Sequence, residues 1–402
     1  MTRPARLDNP AATRLPIDLI GLVLGPVLMC GWLLFVDRGS LSPEAHKLAG
    51  ILLLTITWWL TEPVPLAVTG LSAVALAVFL GAVPVESNGR FEPARTALAP
   101  FADPSAFFLL GGLFIGRAME RHGLDRRIAL SLLCTRWAGR SPHTVLAAVG
   151  VSVALVSMWI SNTAATAMMY PVTLGIIAVL ASGQGADDGR FATSPYASAL
   201  LLMTAYASSV GGIATPIGTA TNVVAMGYFR RPEFFGQAPD FLRWCVIGVP
   251  MMLLILVGLI AWLRLRAPAA GLDLPALRVY LRQQNSSLGA WKVGEVNTLV
   301  VFLLVVGLWV TPGVLALTAT PETRKVFSDH FPEEVVALLA PIVLCTLPVN
   351  WRRREFTLDV SDFLKVDWAT ILLFGSAVSL GGLMFKPGLA QHAGERVFAW
   401  LG

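Results

Sequence analysis

Charge is what this chain lacks. Only 14% of its 402 residues are Asp, Glu, Lys or Arg, against roughly a quarter in soluble domains. Hydrophobic residues make up 55%, and the mean hydropathy is +0.68. Such a composition cannot cover a surface in water, which excludes a soluble globular protein and points to an integral membrane protein. Cysteine is scarce as well. Cys30, Cys134, Cys245 and Cys345 all lie in or beside apolar segments, with spacing that fits neither a disulfide framework nor a zinc site. Buried free thiols are therefore expected. Nothing in the chain resembles a nucleic-acid module, and its formal charge of +5 is read as a record of orientation in the bilayer.

Two long stretches hold no charge at all, Thr144 to Ser182 and Phe191 to Phe229. Each is apolar enough for a membrane, and each carries a polar break: MWISNTAATAM over residues 158–168, and SSVGGIATPIGTATN over 208–222. Elsewhere, spans suited to a bilayer are predicted at 17–36, 47–61, 65–84, 101–119, 246–265, 294–312, 334–350 and 367–385. The first span follows Arg3, Arg6 and Arg14 and shows no small-residue cleavage site, so it is read as a retained helix. Asp273–Gly289 reads as a surface or interfacial helix. A cytoplasmic N-terminus puts the basic loops on one side: Arg117 to Arg140 with six arginines, the loop of Arg264, Arg266, Arg278, Arg282 and Lys292, and Arg352 to Arg354. This bias predicts a multi-pass protein of the cell inner (plasma) membrane. The count holds whether 143–182 crosses twice or turns back partway.

One internal repeat is visible. DPSAFFLLGGLFIGRAMERHGL from Asp103 aligns with DWATILLFGSAVSLGGLMFKPGL from Asp367, pairing Gly111 with Gly375 and Gly116 with Gly381. Five predicted crossings separate the copies, so they run in opposite directions, as in an inverted-repeat transporter.

Non-helical backbone at membrane depth persists only where protein buries it or a wet cavity lines it. Ser161, Asn162 and Thr163 are good N-cap residues, followed by helix-favouring alanines, so one helix is expected to end near Ile160 and another to begin at Ala164. That second helix would present free N–H groups and about half a positive charge, which binds an anion without any cationic side chain. In the second break Gly211, Gly212 and Gly218 permit unwinding, Pro216 removes a donor, and Asn222 is expected to cap Val223–Phe229. Unwound carbonyls, hydroxyls and the Asn222 amide oxygen make a hard ligand set suited to sodium. Ser, Thr and Gly can also serve plain helix packing. Two such clusters, each in a charge-free block and each ahead of a helix start, favour a site. Neither break holds a carboxylate, and His143 sits only at an end, so sodium coupling is preferred to proton coupling.

These residues are similar to those of a known family, the divalent anion:sodium symporters that carry dicarboxylates or sulfate. The resemblance rests on Trp58-Trp59-Leu60-Thr61-Glu62-Pro63-Val64-Pro65, Gly111–Leu124, Ser157-Met-Trp-Ile-Ser-Asn-Thr163 and Gly218-Thr-Ala-Thr-Asn222, and runs over essentially the whole chain. It implies an all-α homodimer of elevator type, with 143–182 as a re-entrant hairpin. By this resemblance 1–140 and 266–386 are scaffold, 141–265 is the transport domain, and 387–402 begins a second hairpin. Ser157, Ser161, Asn162 and Gly218 would surround one sodium, and Asn162, Thr163 and Thr219 would face the substrate. The repeat offset of about 265 residues puts a second Ser-Asn-Thr motif near position 426, past Gly402, so the natural chain is expected to run on.

The expected function is sodium-coupled symport of a divalent anion, a C4-dicarboxylate such as succinate, with sodium as the coupled ion and the bilayer and a second copy as partners. Alternatives are a sulfate or proton-coupled anion transporter, or a membrane-embedded hydrolase using Ser157 or Ser161. The hydrolase reading lacks an activating base, and no enzyme activity is expected.

Overall fold

In the computed structural model, residues 17–84, 92–182, 194–230, 236, 238–267, 274–386 and 388–401 are described. Arg3, Arg6, Arg14 and the domain boundary at 387 lie outside them. The chain begins with α1 (Ile17–Phe35), α2 (Pro43–Thr61), α3 (Leu66–Phe79) and the short α4 (Pro93–Leu98), which runs into a 3-10 turn at Ala99–Ala102. There follow α5 (Pro104–His122), α6 (Leu124–Leu133), α7 (Pro142–Ser157), α8 (Asn162–Ser182), α9 (Pro195–Gly211) and α10 (Ala220–Phe229). Next come α11 (Phe241–Arg266), α12 (Leu274–Ser286), α13 (Val293–Thr318), α14 (Pro321–His330) and α15 (Glu333–Thr346). Strands β1 (Pro348–Asn350) and β2 (Glu355–Phe356), then α16 (Val360–Lys365), α17 (Trp368–Phe385) and α18 (Leu389–Leu401), complete the chain.

Among the described residues, α1, the 93–122 stretch ending in α5, α8, α11, α13 and α17 are long and apolar enough to cross a membrane. Four helices start on one signal, a Ser or Thr cap followed by proline. Ser42, Ser141, Ser194 and Thr320 each accept the backbone N–H three residues on, from Ala45, Thr144, Ala197 and Thr323. The hydroxyl satisfies a first-turn donor, and proline at the first helical position has no donor to lose.

Two predicted spans need correction. The 65–84 helix stops at Phe79. The 334–350 helix stops at Thr346, because Pro348–Asn350 leaves it to pair with Glu355–Phe356 as a hairpin. Asn350 Oδ1 accepts the N–H groups of Arg352 and Arg353, and Arg354 takes a left-handed φ of 52°, so the three arginines form the turn. The four cysteines are free, as expected, but Cys30 is exposed on α1 and the others are half-buried, which corrects the expectation of buried thiols.

The chain forms two compact units, one of residues 1–103 with 368–402 and one of 104–367. In the first, α2, α3 and α17 enclose a core that includes Leu48, Ile51, Val74, Ala77, Leu380 and Leu383. There the Ser379 hydroxyl donates to Ala97 O at 2.7 Å.

In the second unit α5 packs on α15 at van der Waals limits. A Cβ placed on Gly111 would lie 2.3 Å from Ala337 O. Trp309 of α13 is fully buried between Phe108 (ring centroids 4.9 Å) and Phe241 (5.2 Å), and its indole N–H donates to Glu333 O. Charge pairs gather at the helix ends, Arg230 with Glu334 and Arg324 with Asp240 at one set, and a denser group at another. Arg117 and Arg121 both bind the buried Asp362 carboxylate. Arg127 binds Glu295 at 3.0 Å and also donates to the carbonyls of Leu288, Gly289 and Ala290.

Asp125, at the start of α6, is buried, and burial lifts its carboxyl to about 6. The folded state therefore holds a proton that the unfolded chain releases near the ordinary carboxylate value, and stability falls as pH rises from there through about 6. The Asp125→Asn variant should melt above the parent at pH 8, with the gap closing towards pH 4. Thermal unfolding in detergent at both pH values checks this. Gly111→Ala should cost about 1–3 kcal/mol through overpacking. Gly258→Ala, in α11 where nothing lies within 4 Å of the added carbon, should leave the melting temperature level or higher.

Candidate functional site

The two polar breaks meet inside the second unit. α7 ends at Ser157 and α8 starts at Asn162, so the turn comes about three residues earlier than expected, and Asn162 is the first helical residue rather than a cap. Ser161 is the cap, accepting Ala164 N–H at 3.2 Å. The N–H groups of Asn162 and Thr163 have no carbonyl one turn back, as at any helix start. Within the turn, Trp159 stacks on Phe241 and meets Phe302 edge-on at 4.7 Å, which anchors the hairpin tip.

The second break runs from Gly212 to Thr219, between α9 and α10. Asn222 does not cap α10 as expected. The cap is Thr219, which makes no side-chain capping bond, and Asn222 lies in the first turn. Its amide Nδ2 reaches back and donates to Gly212 O and Thr215 O, each at 2.8 Å. Thr215 ties the two breaks together: its hydroxyl donates to Met158 O and accepts Gly218 N–H at 3.1 Å. From α11, the Trp244 indole N–H donates to Ile213 O at 3.1 Å.

Oxygens converge where the breaks face one another. Ser157 Oγ, fully buried, lies 2.9 Å from Asn162 Oδ1 and 2.7 Å from Ser208 O. Its one proton can serve only one of them. A Cβ on Gly212 would sit 2.5 Å from Asn162 Oδ1 and 3.2 Å from Gly218 O, and one on Gly218 would sit 2.6 Å from Gly212 O. Only glycine at both positions lets these carbonyls and the amide come so close. No Asp, Glu, Lys or Arg occurs in 142–182 or 194–229. Among the described residues no cluster of His, Cys, Asp or Glu forms a metal centre either. The set is one of neutral hard oxygens, beside the positive end of α8.

The structure thus gathers Ser157, Asn162, Gly218 and Asn222. Ser161 and Thr163 lie at the tip of the hairpin, Ser161 half-buried and Thr163 exposed. Thr219 is half-buried, with its hydroxyl 3.4 Å from that of Thr221. The sequence reading missed Thr166, Thr173, Thr204, Ser208 and Thr215. Thr166 donates to Ser208 Oγ at 2.7 Å, and the Thr173 and Thr204 hydroxyls are 2.8 Å apart, a polar seam between α8 and α9. The recurrence of hydroxyls at helical spacing in two charge-free helices was the available signal.

The model of the sodium:sulfate symporter transmembrane region matches residues 18–402. The chain belongs to that symporter family. It is also similar to two proteins named sodium-dependent dicarboxylate transporter SdcS. The one from Staphylococcus saprophyticus is 30% identical over 384 residues, covering 94% of this chain and 70% of the relative. The one from Staphylococcus aureus strain bovine RF122 has the same identity and coverage. The symporter family is one of membrane transporters, not enzymes, which sets aside the hydrolase reading of Ser157 and Ser161.

Asn222→Ala should cost this symporter about 1–3 kcal/mol, since at a residue only 8% exposed it takes the amide donor from Gly212 O and leaves Thr215 O with the Gly218 N–H alone. A lower melting temperature in detergent is expected. An unchanged one would mean that the Gly212–Thr219 loop holds itself.

Proposed function

We propose that the chain carries out sodium-coupled symport of a divalent anion, a C4-dicarboxylate such as succinate, across the cell inner membrane. The observation that carries this reading is the convergence of Ser157 Oγ, Asn162 Oδ1 and the Gly212 and Gly218 carbonyls beside the start of α8. With the Asn162 amide oxygen turned to Ser157, one contact of that hydroxyl sets oxygen against oxygen, and a small cation there relieves the repulsion. Sodium is bound by Ser157, Asn162 and Gly218, with Ser161 and Asn222 completing the shell. The bound cation and the N-terminal dipole of α8 together attract a carboxylate, which Asn162, Thr163 and Thr219 receive.

Several finer features belong to the same proposal. α7 has 16 residues and so is about 24 Å long, short of a hydrocarbon core of about 30 Å. That supports 143–182 as a re-entrant hairpin. Residues 141–265 form the moving domain of an elevator, and 1–140 with 266–386 form the scaffold. Residues 387–402 open a second hairpin, Asp103 and Asp367 begin inverted repeats, the N-terminus is cytoplasmic, and two copies associate. The name of the family favours a second substrate, sulfate, since helix-end donors bind any dianion.

Uptake of labelled succinate into proteoliposomes should require an inward sodium gradient. Equal uptake in choline or potassium would sink the reading, and sulfate as competitor separates the two substrates. Asn162→Ala should raise the sodium needed for half-maximal uptake at least about tenfold, the loss expected for one oxygen contact to a charge.

A further inference from the structure

We propose that the cavity between the 133–140 loop and α12 binds the phosphate-bearing headgroup of an anionic phospholipid. This site shares no residue with the two helix breaks and does not depend on the transport reading. The cavity measures about 300 Å³ and is lined by four arginines, Arg136, Arg140, Arg278 and Arg282, with no carboxylate in its wall. Like charges so placed repel one another, and among the described residues none of the four makes an ion pair. An anion with several oxygens neutralises them and accepts their forked donors in pairs.

The walls are built rather than incidental. Arg278 is held by donating Nε and Nη2 to Gly139 O at 3.0 and 2.6 Å. Cys134 Sγ donates to Leu281 O at 3.3 Å, closing the floor. α12 is pinned by buried Leu277 and Leu281, and its Tyr280 hydroxyl reaches Gly175 of α8, where an added Cβ would meet it at 1.9 Å.

A lipid is favoured over a free anion by the apolar groups around these charges. Trp137, in the same loop, is 37% exposed, and Val279, next to Arg278, is 66% exposed. A few residues before α12, Arg266 at the end of the membrane-length α11 lies over the Trp262 ring. Exposed Trp beside Arg is the composition of a helix end at headgroup level, where basic pockets collect acidic lipids.

The test uses the purified full chain in detergent, titrated with phosphatidylglycerol or phosphatidylcholine, with lipid retention read by native mass spectrometry and stability by thermal melting. Phosphatidylglycerol should be retained and should raise the melting temperature, and phosphatidylcholine should not. The double variant Arg136→Gln with Arg282→Gln should weaken phosphatidylglycerol binding about 25-fold, about fivefold per arginine. Arg136→Lys with Arg282→Lys keeps the charge but loses the fork, and should fall between; it decides the matter if the Gln pair does not fold. Arg352→Gln with Arg353→Gln, on the exposed β1–β2 turn, should bind as the parent does. Parent-like binding by both cavity variants, or equal loss from the β1–β2 turn pair, overturns the proposal. Stabilisation by millimolar inorganic phosphate without any response to phosphatidylglycerol overturns the lipid and leaves a free-anion site.

Discussion

The structure depends on satisfying backbone carbonyls where two helices come apart in apolar surroundings. A carbonyl left without a partner there costs several kcal/mol. Asn222 meets that demand with one amide, donating to Gly212 O and Thr215 O, and Thr215 meets it again across to Met158 O. The second break thereby satisfies its own carbonyls and one of the first.

The surroundings follow from this. Trp159 carries the hairpin tip into an aromatic group with Phe241, Phe302 and Trp309, while Trp244 donates to the opposite loop. Both indoles contribute apolar bulk, and Trp244 adds the single donor its position needs. α5 presents Gly112 to Ile217, where a Cβ would sit at 2.9 Å, so the loop is backed by a helix at contact distance. Such backing holds the loop oxygens in fixed positions, which loop flexibility would blur.

Charge is kept away from the breaks and spent at the ends of the second unit. Arg117, Arg121, Arg127, Asp362 and Glu295 form paired networks that lock α5, α6, α13 and α16. A buried carboxylate beside the breaks would respond to protons. The breaks themselves offer only neutral oxygens and a helix dipole.

The sequence by itself determined where helices begin and where they fail, because those signals are local. Ser42-Pro43, Ser141-Pro142 and Ser194-Pro195 start helices through contacts three residues long, and Gly212 and Pro216 interrupt one in place. The family, too, was legible in short motifs such as Ser157–Thr163 and Gly218–Asn222. Local rules misjudged Asn222, because a cap and a loop tie need the same residue type, and only the packed position of Gly212 O decides between them. They misjudged the end of α15 for a similar reason, since the pairing of Pro348 with Phe356 lies beyond a reading of apolar length. Which oxygens face Ser157 was settled by tertiary structure alone. Ser208 lies 51 residues away along the chain and comes within reach only when α9 packs on α7 and α8. Helix propensity acts over one turn, while a binding site is made by the register between helices.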